Sequence, residues 1–157
     1  MPNEYELVKK LTNKRYTITT AESCTGGLLS ATLVNVGGAS EVLNCAFVTY
    51  ANKAKEDFAG VQHETLLQHG AVSEETAAEM CRGIAHLAQA DMGLSTTGIA
   101  GPGGGTPDKP VGLVYIGCCL HDDITVERHV FQGERLQVRR QAVEAALDLA
   151  IRCLDKE

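Results

Sequence analysis

The sequence predicts an α/β fold, a single-domain α/β/α sandwich with a mixed β-sheet covered by helices on both faces. Three observations carry this expectation. Strand-like runs alternate with helix-like ones through the first hundred residues, as parallel strands joined by helical crossovers require. Two later strand-like runs are separated only by His121, Asp122 and Asp123, which reads as a hairpin. The 157 residues, 44% of them apolar, suffice for one ordinary core, and no repeat or linker divides them, so the expected domain spans 1–157.

The elements follow in chain order. Residues 3–13 place Leu7, Val8 and Leu11 at helical spacing, and β-branched residues then mark a strand over Tyr16–Thr20. The segment from Thr25 to Val36 reads as a short helix, Asn44–Tyr50 as a second strand, and "NKAKEDFAGV" as a helix that Asn52 is placed to cap. Ser73 caps the clearest helix, in which Glu74 and Glu75 suit the positive end and Ala77, Met80, Cys81, Ile84, Leu87 and Ala88 form one stripe. A third strand runs from Met92, the hairpin strands are "VGLVYIGCCL" and "ITVERHVF", and a closing helix covers about 134–154 with Leu136, Val143, Leu147, Ala150, Ile151 and Leu154 inward.

Composition narrows the function. A formal charge of -6, three Phe, four Tyr and no Trp argue against a nucleic-acid binder, which needs a cationic footprint and stacking platforms. No apolar run approaches the roughly 20 residues of a membrane span. The six cysteines show no CxxC pair and follow no signal-like N-terminus, so they read as reduced thiols of a cytoplasmic protein. Neighbouring Cys118 and Cys119 point to opposite faces of a strand and are poorly placed to bridge each other. The expected partner is a small molecule or a second copy of the chain.

Ligands of such sheets sit beyond the carboxyl ends of the strands, and four segments there hold the unusual chemistry. In "AESCTGG", Ser23 is either turn and capping chemistry or a nucleophile at the positive end of a helix, where N–H groups can hold an oxyanion. Cys24 competes with it, because a helix N-terminus lowers a thiol pKa. In "TYANKAK", Lys53 and Lys55 fall in a first helical turn that disfavours cations. Either both reach solvent or one points into a site as a base for a serine, with Tyr50 nearby. From Gly98 to Gly112, six glycines and three of the four prolines exclude regular structure; the stretch is no Walker loop and no G-x-G-x-x-G. It reads as a surface loop, a nest of N–H groups for an anion, or a lid. Thr96 and Thr97 precede it with hydroxyls on opposite faces. Arg135, Arg139 and Arg140 crowd the start of the last helix, which anion binding or salt bridges with Glu134 or another chain would explain. The five histidines are scattered and no metal motif occurs.

Together and in this order, "TTAESCTGGLL", "FVTYANKAKEDFAGV", "HGAVSEETA", "TTGIAGPGGGTPDKPVGLVYI" and "FQGERLQVRRQAV" resemble the CinA C-terminal domain family, over nearly the whole chain. Active members are nicotinamide-nucleotide amidohydrolases, also called NMN deamidases or PncC proteins; they are α/β sandwiches that commonly form dimers, and some carry this domain behind a molybdopterin-binding-type domain. The resemblance implies the stand-alone form, a homodimer, and hydrolysis of nicotinamide mononucleotide to nicotinic acid mononucleotide and ammonia in pyridine nucleotide salvage, without metal or cofactor. It carries the nucleophile to Ser23, the tyrosine and lysine of "TYxNxxK" to Tyr50 and Lys53, and the threonine of "TGIAGP" to Thr97. Lys53 would then deprotonate Ser23, N–H groups around Cys24, Thr25 and Gly26 would hold the oxyanion, and Lys53 or a relay through Tyr50 and Thr97 would protonate departing ammonia. For the phosphate, the candidates are Gly101, Gly103, Gly104 and Gly105 of the loop, with Arg135 or Arg139. Two departures stand out: Gly133-Glu134-Arg135 where members usually have "GDR", and Ala51 in place of a common serine. The other readings are a nucleotide-binding or regulatory protein of this fold with little catalysis, tied to competence or DNA damage, and a cysteine hydrolase using Cys24.

Overall fold

The computed structural model describes all 157 residues. Five strands, β1 (Ile18–Glu22), β2 (Phe47–Val48), β3 (Met92–Gly98), β4 (Leu113–Leu120) and β5 (Asp123–Val130), form one sheet in the order β2-β1-β3-β4-β5. β2, β1 and β3 are parallel, whereas β4 and β5 are antiparallel to their neighbours, so the sheet is mixed. Six α-helices surround it: α1 (Asn3–Lys14), α2 (Leu28–Val34), α3 (Asn52–Ala59), α4 (His63–His69), α5 (Glu74–Ala88) and α6 (Arg135–Asp155).

The helices divide between the two faces. α1, α2 and α6 enclose the larger core, which joins Leu7 and Leu11 to Ile18, Leu94, Ile116, Val143 and Leu147. α5 packs on the other face with α3 and α4 beside it, burying Ala59, Met80 and Ile84 under Ala21. The alternation of β4 separates the cysteine pair as expected: Cys118 joins the larger core, while Cys119 packs with Cys81 and Ala85 under α5. All six cysteines are free thiols. No helix is long and apolar enough to cross a membrane.

Several boundaries differ from the sequence expectation for local reasons. β1 begins at Ile18 and not at Tyr16, because Arg15 closes α1 in the left-handed conformation and the Tyr16 N–H is spent on the Leu11 carbonyl. β2 is an edge strand paired only at Ala21↔Phe47 and Glu22↔Val48, although the flanking chain stays tied to β1 through Thr19 Oγ1 to the Cys45 carbonyl and Thr49 N–H to the Glu22 carbonyl. α4 is an additional helix of about two turns that the polar run from His63 did not signal. Asn52 opens α3 as its first helical residue and caps nothing; Ala51 takes the N-cap place. Leu87 and Leu136, expected to face inward, are 52% and 45% exposed.

The chain leaves β1 toward β2 on one side and returns to β3 on the other, so the strand order reverses beside β1. Such a switch point leaves a crevice beyond the strands' carboxyl ends. Ser23 is the first residue past β1.

Candidate active site

The Ser23 turn is held from several directions. The Ser23 N–H donates to the Thr96 carbonyl (3.0 Å), which keeps the chain beside β3, and Gly26 N–H donates back to the Ser23 carbonyl (3.0 Å). Gly26 and Gly27 then turn the chain into α2 with φ of +58° and +101°, a region open to glycine at little cost. The N-terminal donors of α2 do not point at an empty site: the buried Glu22 carboxylate accepts from the N–H groups of Gly27 (3.2 Å), Leu29 (2.8 Å) and Ser30 (3.0 Å). The expected oxyanion donors are therefore reduced. Gly26 is already bonded, and of the three residues named only the Cys24 and Thr25 N–H groups lack an acceptor in the chain. Cys24 lines the cavity and Thr25 does not.

The lysine beside Ser23 is Lys55, not Lys53. Lys55 is 1% exposed and its Nζ lies 3.0 Å from Ser23 Oγ, 2.9 Å from the Thr49 carbonyl and 2.9 Å from the Tyr50 carbonyl. Lys53 stands in solvent with its side chain 80% exposed, paired to Asp57 at 3.1 Å one turn along α3. Residues two positions apart on a helix lie about 200° around its axis, so only one of these lysines can face the sheet. The sequence did hold the signal. Counted from Tyr50, the lysine of "TYxNxxK" is residue 55, and Lys55 shares its face with the buried Ala59 at i+4. Burial lowers the Lys55 pKa to about 8, because removal from water disfavours the ammonium.

Cys24 is the poorer nucleophile of the pair. Its thiol is buried, which pushes its pKa up to about 11, so the thiolate expected at a helix N-terminus does not form near neutrality. The two threonines separate as strand alternation requires. Thr97 lines the cavity and donates to the Ala71 carbonyl (2.7 Å), whereas Thr96 Oγ1 lies behind the turn, 2.8 Å from Thr25 Oγ1. Tyr50 touches the pair through its carbonyl. The residue is 59% exposed and its hydroxyl accepts from Arg135 (3.2 Å), so no hydrogen-bonded relay runs from that hydroxyl to Ser23.

A cavity of about 300 Å³ opens above Ser23 and Lys55, bounded by Tyr50, Asn52, Ala71, Val72 and the segment from Thr97 to Gly104. No carboxylate lines it in a chain of formal charge -6; its cationic side chains are Lys55 and Arg135. The N–H groups of Ala100, Gly101, Gly103 and Gly104 make no hydrogen bond within the chain. Gly105 packs toward Val111 and lies outside the lining. Arg135 donates to the Gly101 carbonyl (2.7 Å) and spans from the loop to Tyr50. Arg139 is already engaged: it donates to the carbonyls of Cys24 (3.0 Å) and Thr25 (2.8 Å) and does not line the cavity. Arg135 and Arg139 are thus matched to loop carbonyls and not to Glu134, which forms a capping box with Gln137, while Arg140 is exposed. Nowhere do three His, Cys, Asp or Glu side chains gather in a way that could hold a metal ion.

The fold and this pocket define an α/β protein with a buried serine and lysine in contact at a strand switch point. The CinA C-terminal domain profile matches residues 2–154, and the chain belongs to that family. A "Putative competence-damage inducible protein" of Thermoanaerobacter sp. (strain X514) is 49% identical over 151 residues, 96% of this chain, and one of Clostridium acetobutylicum is 54% identical over 138 residues, 88% of it. The chain spans only 37% and 34% of the length of those two relatives. Among solved structures, the competence-damaged protein (CinA) superfamily protein of Klebsiella pneumoniae 700603 is 34% identical with a TM-score of 0.95, covering 99% of this chain and 97% of that one. The competence/damage inducible protein of Agrobacterium tumefaciens is 37% identical with a TM-score of 0.91 and the same coverage.

Proposed function

We propose that the protein is a nicotinamide-nucleotide amidohydrolase, converting nicotinamide mononucleotide to nicotinic acid mononucleotide and ammonia with Ser23 as nucleophile and Lys55 as base. The observation that carries this reading is the surroundings of Lys55 Nζ. A neutral amine has two N–H bonds and one lone pair. Two carbonyls at 2.9 Å take the N–H bonds, and the lone pair is left for the Ser23 hydroxyl at 3.0 Å. With a pKa of about 8, a useful fraction of Lys55 is neutral near physiological pH.

The steps follow from that geometry. Ser23 Oγ attacks the amide carbon as its proton passes to Lys55, and the carbonyl oxygen takes up the negative charge, for which the Cys24 N–H is the available donor. The C–N bond then breaks, with the Lys55 ammonium returning its proton to the leaving nitrogen, and ammonia departs. Water, deprotonated by Lys55, hydrolyses the ester on Ser23 and restores both residues. The protonated Lys55 donates to three oxygens, so neither charge state leaves a polar atom unpaired.

The cavity supports the substrate class. Its volume is at the small end for ligand pockets and suits a mononucleotide better than a dinucleotide. Arg135 and the unpaired N–H groups of Ala100, Gly101, Gly103 and Gly104 are the donors an anionic phosphate needs. Ammonia release from nicotinamide mononucleotide by the purified chain tests the proposal: wild type turns over, and Ser23→Ala binds the nucleotide without turnover. Absence of wild-type turnover, across pH and related amides, overturns it in favour of a binding or regulatory protein of the same fold.

A further inference from the structure

We infer that Glu22 is a positioning residue for the nucleophile turn, holding Ser23 Oγ at the distance from Lys55 that the reaction needs; this rests on the reading of Ser23 as nucleophile. Glu22 is 0% exposed, the residue directly before Ser23, and no Lys, Arg or His lies within ion-pairing distance of its carboxylate. A buried carboxylate without a counter-ion persists only where hydrogen bonds replace its water. All but the longest of those bonds come from the turn and helix that follow it. Oε1 accepts from the Thr25 hydroxyl (2.6 Å) and from Gly27 and Leu29 N–H, while Oε2 accepts from Ser30 N–H and more distantly from the Thr20 hydroxyl (3.4 Å).

The placement has a consequence for the chemistry. α2 has only seven residues, too short to hold its own place, and Glu22 links its start to the last residue of β1. Everything between, Ser23 to Gly27, is spanned by that link. The Thr25 hydroxyl extends it to Thr96 of β3 (2.8 Å), and the Glu22 carbonyl accepts Thr49 N–H (2.8 Å) from the segment whose carbonyl also receives Lys55. Through side chain and backbone together, this residue meets both the turn that carries the nucleophile and the segment whose Thr49 carbonyl receives the base. Glu22 itself lies outside the cavity lining and touches no reacting atom.

The test uses the full chain, with kcat and KM for nicotinamide mononucleotide expressed per folded protein, and with the rate at which a fluorophosphonate labels Ser23 read beside them. Glu22→Gln places an amide N–H₂ among N–H donors, and the expected result is kcat lower by roughly 10–100-fold with KM within about threefold, since displacements near 1 Å cost that much. Because Glu22→Gln can fail to fold, Thr25→Val and Thr25→Ser form the second pair. Thr25→Val lowers kcat, Thr25→Ser, which keeps the hydroxyl, restores most of it, and the thermal midpoints of the two stay close. Unchanged kcat in folded Glu22→Gln, or equal kcat in the two Thr25 variants, overturns the inference while leaving the amidohydrolase reading intact. A wild type that neither takes the label nor releases ammonia overturns both.

Discussion

Two glycine-bearing loops leave neighbouring parallel strands and meet over the same cavity, yet they are built in opposite ways. The turn after β1 is buried from Ser23 to Thr25 and mostly bonded, with the Cys24 and Thr25 N–H groups left over: Glu22, Thr96 and Arg139 hold its carboxylate-facing donors, its backbone and its carbonyls. The loop after β3 is exposed from Pro102 to Asp108, and Ala100, Gly101, Gly103 and Gly104 keep their N–H groups unspent. The first arrangement suits a group that must not move during bond making. The second suits a ligand that supplies the missing acceptors. Chemistry and binding are therefore expected to fail separately when one loop or the other is changed.

The largest effect falls on the rigid side. Ser23→Ala should abolish ammonia release, by roughly 10⁴-fold or more, with nucleotide affinity by calorimetry nearly unchanged. Lys55→Met should follow at about 10²–10⁴-fold, whereas Lys53→Ala stays within about twofold, because a solvated lysine beside Asp57 does no work in the cavity. Equal losses in the two lysine variants would contradict the geometry at Ser23.

The same lysine sets two pH dependences. The base must be neutral, so kcat/KM of wild type should rise with pH and level off above about 8. Stability follows the same proton with a definite sign. Between about 8 and 10.5, the unfolded chain holds a proton that folded Lys55 has released, so raising pH through that window stabilises the fold. Below the window, the buried ammonium costs a constant amount, roughly 3 kcal/mol from the size of the shift. Urea unfolding of wild type against Lys55→Met should show their difference flat below pH 8 and moving in favour of wild type above it.

On the binding side, Arg135→Ala should raise KM roughly tenfold or more with kcat little changed, the signature of a charge-assisted contact made equally in ground and transition states. A drop in kcat alone would place Arg135 with the rigid turn instead. The smallest effect is expected at Cys24. Its thiol stays protonated and buried, so Cys24→Ala should keep kcat within about threefold and iodoacetamide should label it slowly. Loss of activity in Cys24→Ala with Ser23→Ala still active would reverse the assignment of the nucleophile.

Much of this molecule was written locally. Helical spacing in residues 3–13, the Ser73 cap and the long apolar face of residues 134–154 marked α1, α5 and α6 nearly to their ends, because each depends on neighbours three or four positions away. The hairpin and the opposite faces of Cys118 and Cys119 follow from strand alternation. "AESCTGG" and the glycine loop announced themselves by composition, and the family resemblance followed from their order. What local pattern could not give was contact across the sheet. Lys53 and Lys55 are alike in type and two positions apart; motif spacing and the apolar Ala59 one turn on distinguish Lys55, but its contact with Ser23 comes from the packing of α3 against the sheet. Glu22 looks like an ordinary charge in the chain, and Arg139 reads there as a phosphate ligand and not as a clasp on the nucleophile turn. Their roles depend on a helix seven residues away and on carbonyls more than a hundred residues away, so only the folded arrangement could assign them.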